Sequence, residues 1–293
     1  MSEKKSEYYW NEQVDYLRES RKDLWNQDYF AFLVKNVWKF EKPVRVVDFG
    51  CGMGYMGSVL LPLLPEGSTY TGLDMGSKLI EQGRETFAGS PWSVEFIEQD
   101  LTLYETEERF DLAVCQCVLV HIPSPVSVLE KMVRSVVAGG RVICIEPNWI
   151  YNNIGMYRHG MEVYSYEDAG VHQKILDVTL QRDKLDRYIG TKVPAMMHDL
   201  NLTNIDIRIN DKARFRFFSP DKSKLQADRK ARRESRESAG AWSIEGYMGM
   251  GFSRTEAIRN VESQLLTEDY ENGYDGDLPI VDVTPYFISY GEK

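Results

Sequence analysis

From Val44 onward the chain alternates short apolar runs with longer amphipathic stretches; the runs are Val44–Phe49, Thr69–Leu73, Val94–Ile97, Phe110–Cys115 and Val142–Ile145. Each is short and alternates poorly, the pattern of a strand covered by helices on both faces, so five parallel strands are predicted by residue 146. Helices are predicted near residues 55–64, 76–88 and 124–138, the last starting at Pro123-Ser124-Pro125 and stopping at Gly139-Gly140. This succession of strand, helix and strand is the rhythm of an α/β fold.

Ahead of that core, Tyr8 to Phe40 places Tyr16, Leu17, Leu24, Trp25, Phe32 and Trp38 at helical spacing, which predicts a helical cap. After it, Tyr164–Tyr188 and Pro194–Leu200 read as helices, and Asn204–Ile209 and Val281–Tyr290 alternate like strands. Ser219-Pro220 to Gly240 marks a highly charged helix, and Ser253 to Glu256 forms a capping box opening another through about Asn272. Residues 211–278 are therefore expected to be a helical insertion within one fold, followed by a final strand in 279–293.

Composition narrows the class without changing this outline. The 293 residues are 43% hydrophobic and 27% charged, which supplies a core and excludes disordered and low-complexity classes. No run of about 18 apolar residues is present and the first residues are charged, so a soluble, cytoplasmic chain is expected. Cys51, Cys115, Cys117 and Cys144 form no CxxC pair, which favours free thiols in a reducing compartment and no metal. A net charge of -10 argues against general nucleic-acid binding, yet residues 208–236 carry eleven basic and four acidic side chains. A run of this kind is ordinarily a solvated helix face.

The densest chemical signal is Val46-Val47-Asp48-Phe49-Gly50-Cys51-Gly52-Met53-Gly54, an apolar strand ending in an acid and entering alternating glycines. Glycine reaches positive φ and lets a ligand lie directly on the backbone, so a nucleotide-like cofactor is expected. Gly52, Gly54 and Gly57 also satisfy GxGxxG, which keeps a nicotinamide-dependent oxidoreductase in view. Asp48 discriminates: a carboxylate there repels a pyrophosphate and attracts an ammonium group, so an amino-acid-bearing cofactor fits better. Asp74, at the end of the second strand, suits a ribose diol, because a carboxylate accepts two hydrogen bonds. Asp100 can accept from an adenine amino group while Leu101 packs on the ring.

Together these residues resemble the class I S-adenosylmethionine-dependent methyltransferases. Asp48-x-Gly50-x-Gly52-x-Gly54 matches the first motif, Asp74 the ribose-binding acid and Asp100 the adenine-side acid. Phe110-Asp111-Leu112-Ala113-Val114 with Leu119-Val120-His121 matches the fourth-strand motif. The resemblance implies a Rossmann-like seven-stranded sheet in the order 3-2-1-4-5-7-6, its last strand antiparallel. It also implies S-adenosyl-L-methionine as cofactor, with Cys51, Met75 and Cys117 beside it and no metal.

The expected division is one methyltransferase domain: a helical cap (1–43), a cofactor-binding core (44–150), substrate-side helices with a sixth strand (151–210), the insertion (211–278) and the last strand (279–293). Loops after the fourth and fifth strands should border the methyl acceptor, which makes His121 and Glu146 the candidate acid–base residues. The acceptor is expected to be a small molecule and the protein a monomer or homodimer. Methylation of RNA or protein is the alternative within the same chemistry.

Overall fold

In the computed structural model the described residues are 10–12, 14–21, 24–105, 110–162, 168–218, 243–274 and 277–293. The strands among them are β1 Arg45–Phe49, β2 Thr69–Asp74, β3 Ser93–Glu98, β4 Phe110–Gln116, β5 Val136–Pro147, β6 Met156–Arg158, β7 Thr203–Ile209, β8 Ala213–Phe218, β9 Leu278–Val283 and β10 Tyr286–Glu292. Seven of them form one sheet in the order β3-β2-β1-β4-β5-β10-β7. Its first five strands pair in parallel, and β10 runs antiparallel to both β5 and β7. Counted within this sheet, the order is the expected 3-2-1-4-5-7-6.

Burial on both faces explains the poor alternation. In β1, Val46 joins an apolar cluster on one side of the sheet with Trp38, Leu60 and Tyr70, while Val47 and Phe49 join another with Leu129 and Met132. The helices Tyr55–Leu60, Ser77–Phe87 and Pro125–Ser135 supply these layers. Before them come the helices Val14–Arg21 and Gln27–Phe32 and a π-turn over Leu33–Trp38, which ends at Lys39 in the left-handed region.

The chain divides into two compact units: one holds residues 1–148, 180–212 and 285–293, the other 149–179 and 213–284. The first contains the seven-stranded sheet. The second contains the antiparallel sheet β6-β9-β8 and the helices Ile244–Gly249 and Arg254–Gly273, the latter opened by the predicted capping box at Ser253 and Glu256. Arg214 pairs with Asp282 at 2.6 Å across β8 and β9, and Tyr247, Phe252 and Ala257 form a small core.

Four local expectations change. The helix predicted to reach residue 138 ends at Ser135, because Val136 and Val137 already pair as strand; Gly139 and Gly140 lie inside β5, bonded to Lys293. The single strand expected over Val281–Tyr290 is two, β9 and β10, placed in different sheets with Pro285 between them. The insertion is not wholly helical: Ala213-Arg214-Phe215-Arg216-Phe217-Phe218 alternates with period two and forms β8. The helix expected from Tyr164 is seen over Ala169–Asp183, and the charged helix over Ser219–Gly240 lies outside the described residues.

Close helix-to-sheet packing sets one sharp constraint. A Cβ on Gly83 would lie 2.6 Å from the Phe96 ring, which is boxed by Tyr70 and Phe87. The Gly83→Val variant is expected to lose about 1–3 kcal/mol of stability through overpacking, read as a lower urea midpoint with an unchanged slope.

Candidate active site

The turn after β1 is pinned to the end of β2: the N–H groups of Gly50 and Cys51 both donate to the Leu73 carbonyl, at 2.8 and 2.9 Å, and Gly54 N–H donates to the Cys51 carbonyl at 2.9 Å. Gly50, Gly52 and Gly54 all have positive φ, but for different reasons. A Cβ on Gly50 would meet Val118 at 2.5 Å and one on Gly54 would meet Phe96 at 2.6 Å, so these two serve packing. A Cβ on Gly52 would meet nothing within 4 Å. Of the three, Gly52 alone turns its bare backbone toward open space.

Asp74 holds this arrangement together. Its Oδ2 accepts from Gly52 N–H at 2.9 Å and its Oδ1 from Gly76 N–H at 2.8 Å, joining the loops that follow β1 and β2. Burial raises its carboxyl above the ordinary value, opposed by the N–H groups of Gly76, Gly52 and Met75. Three N–H donors leave about one of the carboxylate's four acceptor positions, enough to accept from one hydroxyl. Asp100 forms a turn of its own, its Oδ1 accepting from Thr102 N–H and Oγ1 at 2.8 Å each, and Leu101 is buried in the apolar cluster with Phe49 and Tyr104.

Asp48, expected from its sequence position to meet a ligand, is enclosed by protein. It is 1% exposed and lies under the glycine turn, where its Oδ2 accepts from the Tyr70 hydroxyl at 2.5 Å. Among the described residues its Oδ1 has no hydrogen-bond partner, and burial, against the Tyr70 hydrogen bond, pushes its pKa up to about 7. The fully buried face of β1 accounts for this: Asp48 follows Val46 on the side that Tyr70 covers.

The loop after β4 is organised by Glu146. Its Oε1 accepts from Val118 and Leu119 N–H, both at 2.9 Å, and its Oε2 from Val120 N–H at 3.2 Å. Glu146 has no exposed surface, and burial raises its pKa to about 7 against those three donors. The carboxylate, expected to act as an acid or base toward an acceptor, turns inward and caps the short turn Leu119–His121. Ahead of that turn Cys117 takes φ 56, its N–H donating to the Ile145 carbonyl at 2.9 Å. Burial lifts the Cys117 thiol to about 12, so it stays protonated.

His121 ends the same turn. Its Nδ1 lies 3.3 Å from the Arg187 guanidinium, and the Trp10 ring packs against the imidazole at 4.9 Å between centroids. Burial first, then the charges of Arg187 and Arg21, push its pKa down to about 4. The imidazole is neutral at physiological pH and a weak base. Arg187 and Trp10 were not singled out in the sequence; neither belongs to a motif, and only the fold brings them to His121. Asn11 adds to the same edge, accepting from Lys78 N–H at 3.0 Å.

The mixed seven-stranded sheet, the glycine turn and the acid clasp at the end of β2 define a class I methyltransferase fold of the kind that uses S-adenosylmethionine. A profile described as "Methyltransferase domain" matches residues 40–206, and the chain belongs to this family. Among similar proteins, the ubiquinone biosynthesis O-methyltransferase of Klebsiella pneumoniae is 31% identical over 100 residues, 33% of this chain and 40% of that protein. That of Erwinia tasmaniensis is 32% identical over 102 residues, again 33% and 40%. The match thus spans well under half the length of these relatives. The structure of the YcgJ protein of Bacillus subtilis superposes with a TM-score of 0.50 at 13% identity, covering 91% of this chain and 98% of that one.

The two buried carboxylates give a pH signature. Asp48 and Glu146 ordinarily titrate at 3.8 and 4.5 but are raised to about 7 in the fold. Between roughly pH 4 and 7 the folded state then binds more protons than the unfolded state, so their contribution to stability falls as pH rises through that window. Asp48→Asn and Glu146→Gln are each expected to flatten this fall in denaturant unfolding followed from pH 4 to 8. An undiminished slope in both variants would show that the carboxylates titrate normally.

Proposed function

We propose that this chain transfers a methyl group from S-adenosylmethionine to a small-molecule acceptor at the carboxyl end of the seven-stranded sheet. The observation that carries this is the open, positive-φ backbone of Gly52, hydrogen-bonded to Asp74. An aligned acid and a bare peptide at a strand-to-helix turn suit an adenosine-bearing ligand. In this assignment residues 44–150 hold the cofactor: Gly50, Cys51, Gly52 and Gly54 form the bed, Asp74 and Met75 take the ribose side, and Asp100 and Leu101 the adenine side. Cys117 borders the methionine part, and Asp48 acts from below by fixing the turn through Tyr70. The segments after residue 150 choose the acceptor.

S-adenosylmethionine supplies an electrophilic sulfonium methyl for direct displacement. The protein contributes by fixing donor and acceptor in line, an effect that can supply on the order of 7–11 kcal/mol. Glu146, having no exposed surface, holds the β4 loop in place. His121 contributes a neutral imidazole whose Nδ1 accepts from Arg187. The relatives named for O-methylation in ubiquinone biosynthesis support a small acceptor, and the net charge of -10 supports it over nucleic acid. Among the described residues no helix is long and apolar enough to cross a membrane. The proposal places a monomer or homodimer in the cytoplasm.

Gly52→Val puts a branched side chain into the open face of the turn. It is expected to weaken S-adenosylmethionine binding about 100-fold in calorimetry, equivalent to about 2.7 kcal/mol, with an unchanged circular dichroism spectrum. Titration of the unmodified protein with a nicotinamide dinucleotide should give no binding heat. Saturable dinucleotide binding without S-adenosylmethionine binding would overturn the proposal.

A further inference from the structure

β7 is one edge of the seven-stranded sheet, and among the described residues it pairs only with β10. Residues of an antiparallel strand alternate between bonding that neighbour and pointing their N–H and C=O away from it. Asn210 N–H donates to the Tyr286 carbonyl at 3.1 Å, so in the observed register Arg208 and Asp206 also face β10. The backbone of Ile205, Ile207 and Ile209 then points outward. Two bonds agree with this: Ile207 N–H donates to Oδ1 of the adjacent Asp206 at 2.8 Å, and the Ile209 carbonyl accepts from the Tyr29 hydroxyl at 3.0 Å.

The side chains alternate as well. Asp206 and Arg208 share one face, where each bonds the Tyr290 hydroxyl, at 2.6 and 3.3 Å. The isoleucines occupy the other face. Ile205 packs against the cluster holding Val193 and Met197, whereas Ile207 and Ile209 are 38% and 46% exposed. The register with β10 shifts between Thr203 and Asp206, where Asn204 takes φ 50, and from Asp206 to Ile209 the ladder is regular. A regular edge with exposed isoleucines is a template for another strand.

The sequence of the edge selects that strand, because Ile205-Asp206-Ile207-Arg208-Ile209 is its own complement. Set antiparallel to a second copy with Ile207 on the two-fold axis, each Asp206 stands opposite the partner's Arg208 and each Ile205 opposite the partner's Ile209. Outward-pointing backbone then meets outward-pointing backbone. Moving the axis to Asp206 or to Arg208 keeps that backbone match but sets like charges face to face, so charge fixes the register.

We propose that the β7 edge is the contact of a two-fold homodimer, in which two seven-stranded sheets join through antiparallel β7 strands with Ile207 at the axis. Ile207 N–H donates to the partner's Ile207 carbonyl, and Asp206 and Arg208 bridge to their opposites on the Tyr290 face. The isoleucines of the two copies cover one another on the other face. β7 stands four strands from β1 in the sheet order, which leaves the glycine turn outside the contact.

Sedimentation of the full chain over a concentration series is expected to show a monomer–dimer equilibrium. Ile207→Lys brings two ammonium groups together at the axis and should weaken the dimer about 10-fold or more, with an unchanged circular dichroism spectrum. Asp206→Arg and Arg208→Asp should each weaken it similarly, because each sets like charges opposite one another. Mixed together, these two variants are expected to form a heterodimer near the wild-type affinity, followed by a fluorescent label on one of them. The double variant Asp206→Arg/Arg208→Asp should dimerise with itself, which keeps the charge test usable where a single variant folds poorly. A wild-type chain that stays monomeric up to roughly 100 μM would overturn the proposal. So would a dimer indifferent to Ile207→Lys, which would place the contact elsewhere, or charge variants that fail to pair when mixed.

Discussion

Glu146 ends β5 with no exposed surface, and the N–H groups of Val118, Leu119 and Val120 converge on its two oxygens. Much of the site follows from that convergence. It brings Val118 so close to Gly50 that no Cβ fits there, which interlocks the loops after β1 and β4. It bends the chain at Cys117 into the left-handed region and sets His121 at the end of a single turn. The same carboxylate is pushed to a pKa of about 7, so desolvation outweighs the three donors. A buried charge of this kind contributes little net stability, and what it specifies is the path of the backbone.

Asp74 does the corresponding work between β1 and β2. One carboxylate oxygen holds Gly52 and the other Gly76, so the glycine turn and the helix that follows β2 share one residue. Two inward-turned acids therefore shape this edge of the sheet: Asp74 between the loops after β1 and β2, Glu146 in the loop after β4. Asp48, the third, supports the turn from underneath through the Tyr70 hydroxyl. The acids of this site act first on backbone and neighbouring side chains, and their charge reaches a ligand through the geometry they impose.

The parts of the fold that were legible in the sequence are those where burial is two-sided. Val46, Val47 and Phe49 must all be hidden, and only a strand between helix layers hides three such neighbours at once. The glycine turn was legible for a related reason, since backbone approach and positive φ leave few residue choices. β8 was missed because its period-two Phe and Arg pattern sits at the head of a highly charged block, where local composition masks the alternation. The division of Val281–Tyr290 was missed because apolar alternation continues across Thr284-Pro285 while the sheet it belongs to changes. Asp48 and Glu146 were placed at the right strand ends, but a sequence does not say to which side a carboxylate turns. Arg187 and Trp10 carry no local pattern; their meaning is purely tertiary.

These assignments bear on how an acceptor is activated. A general base near neutrality needs access to the acceptor and a pKa close to the working pH. Glu146 has the pKa without the access, and His121, held near 4 by burial and two guanidiniums, has too low a pKa. Orientation by the interlocked loops, rather than a proton-accepting side chain, is then what these residues offer, which suits a transfer whose electrophile already bears the full activating charge.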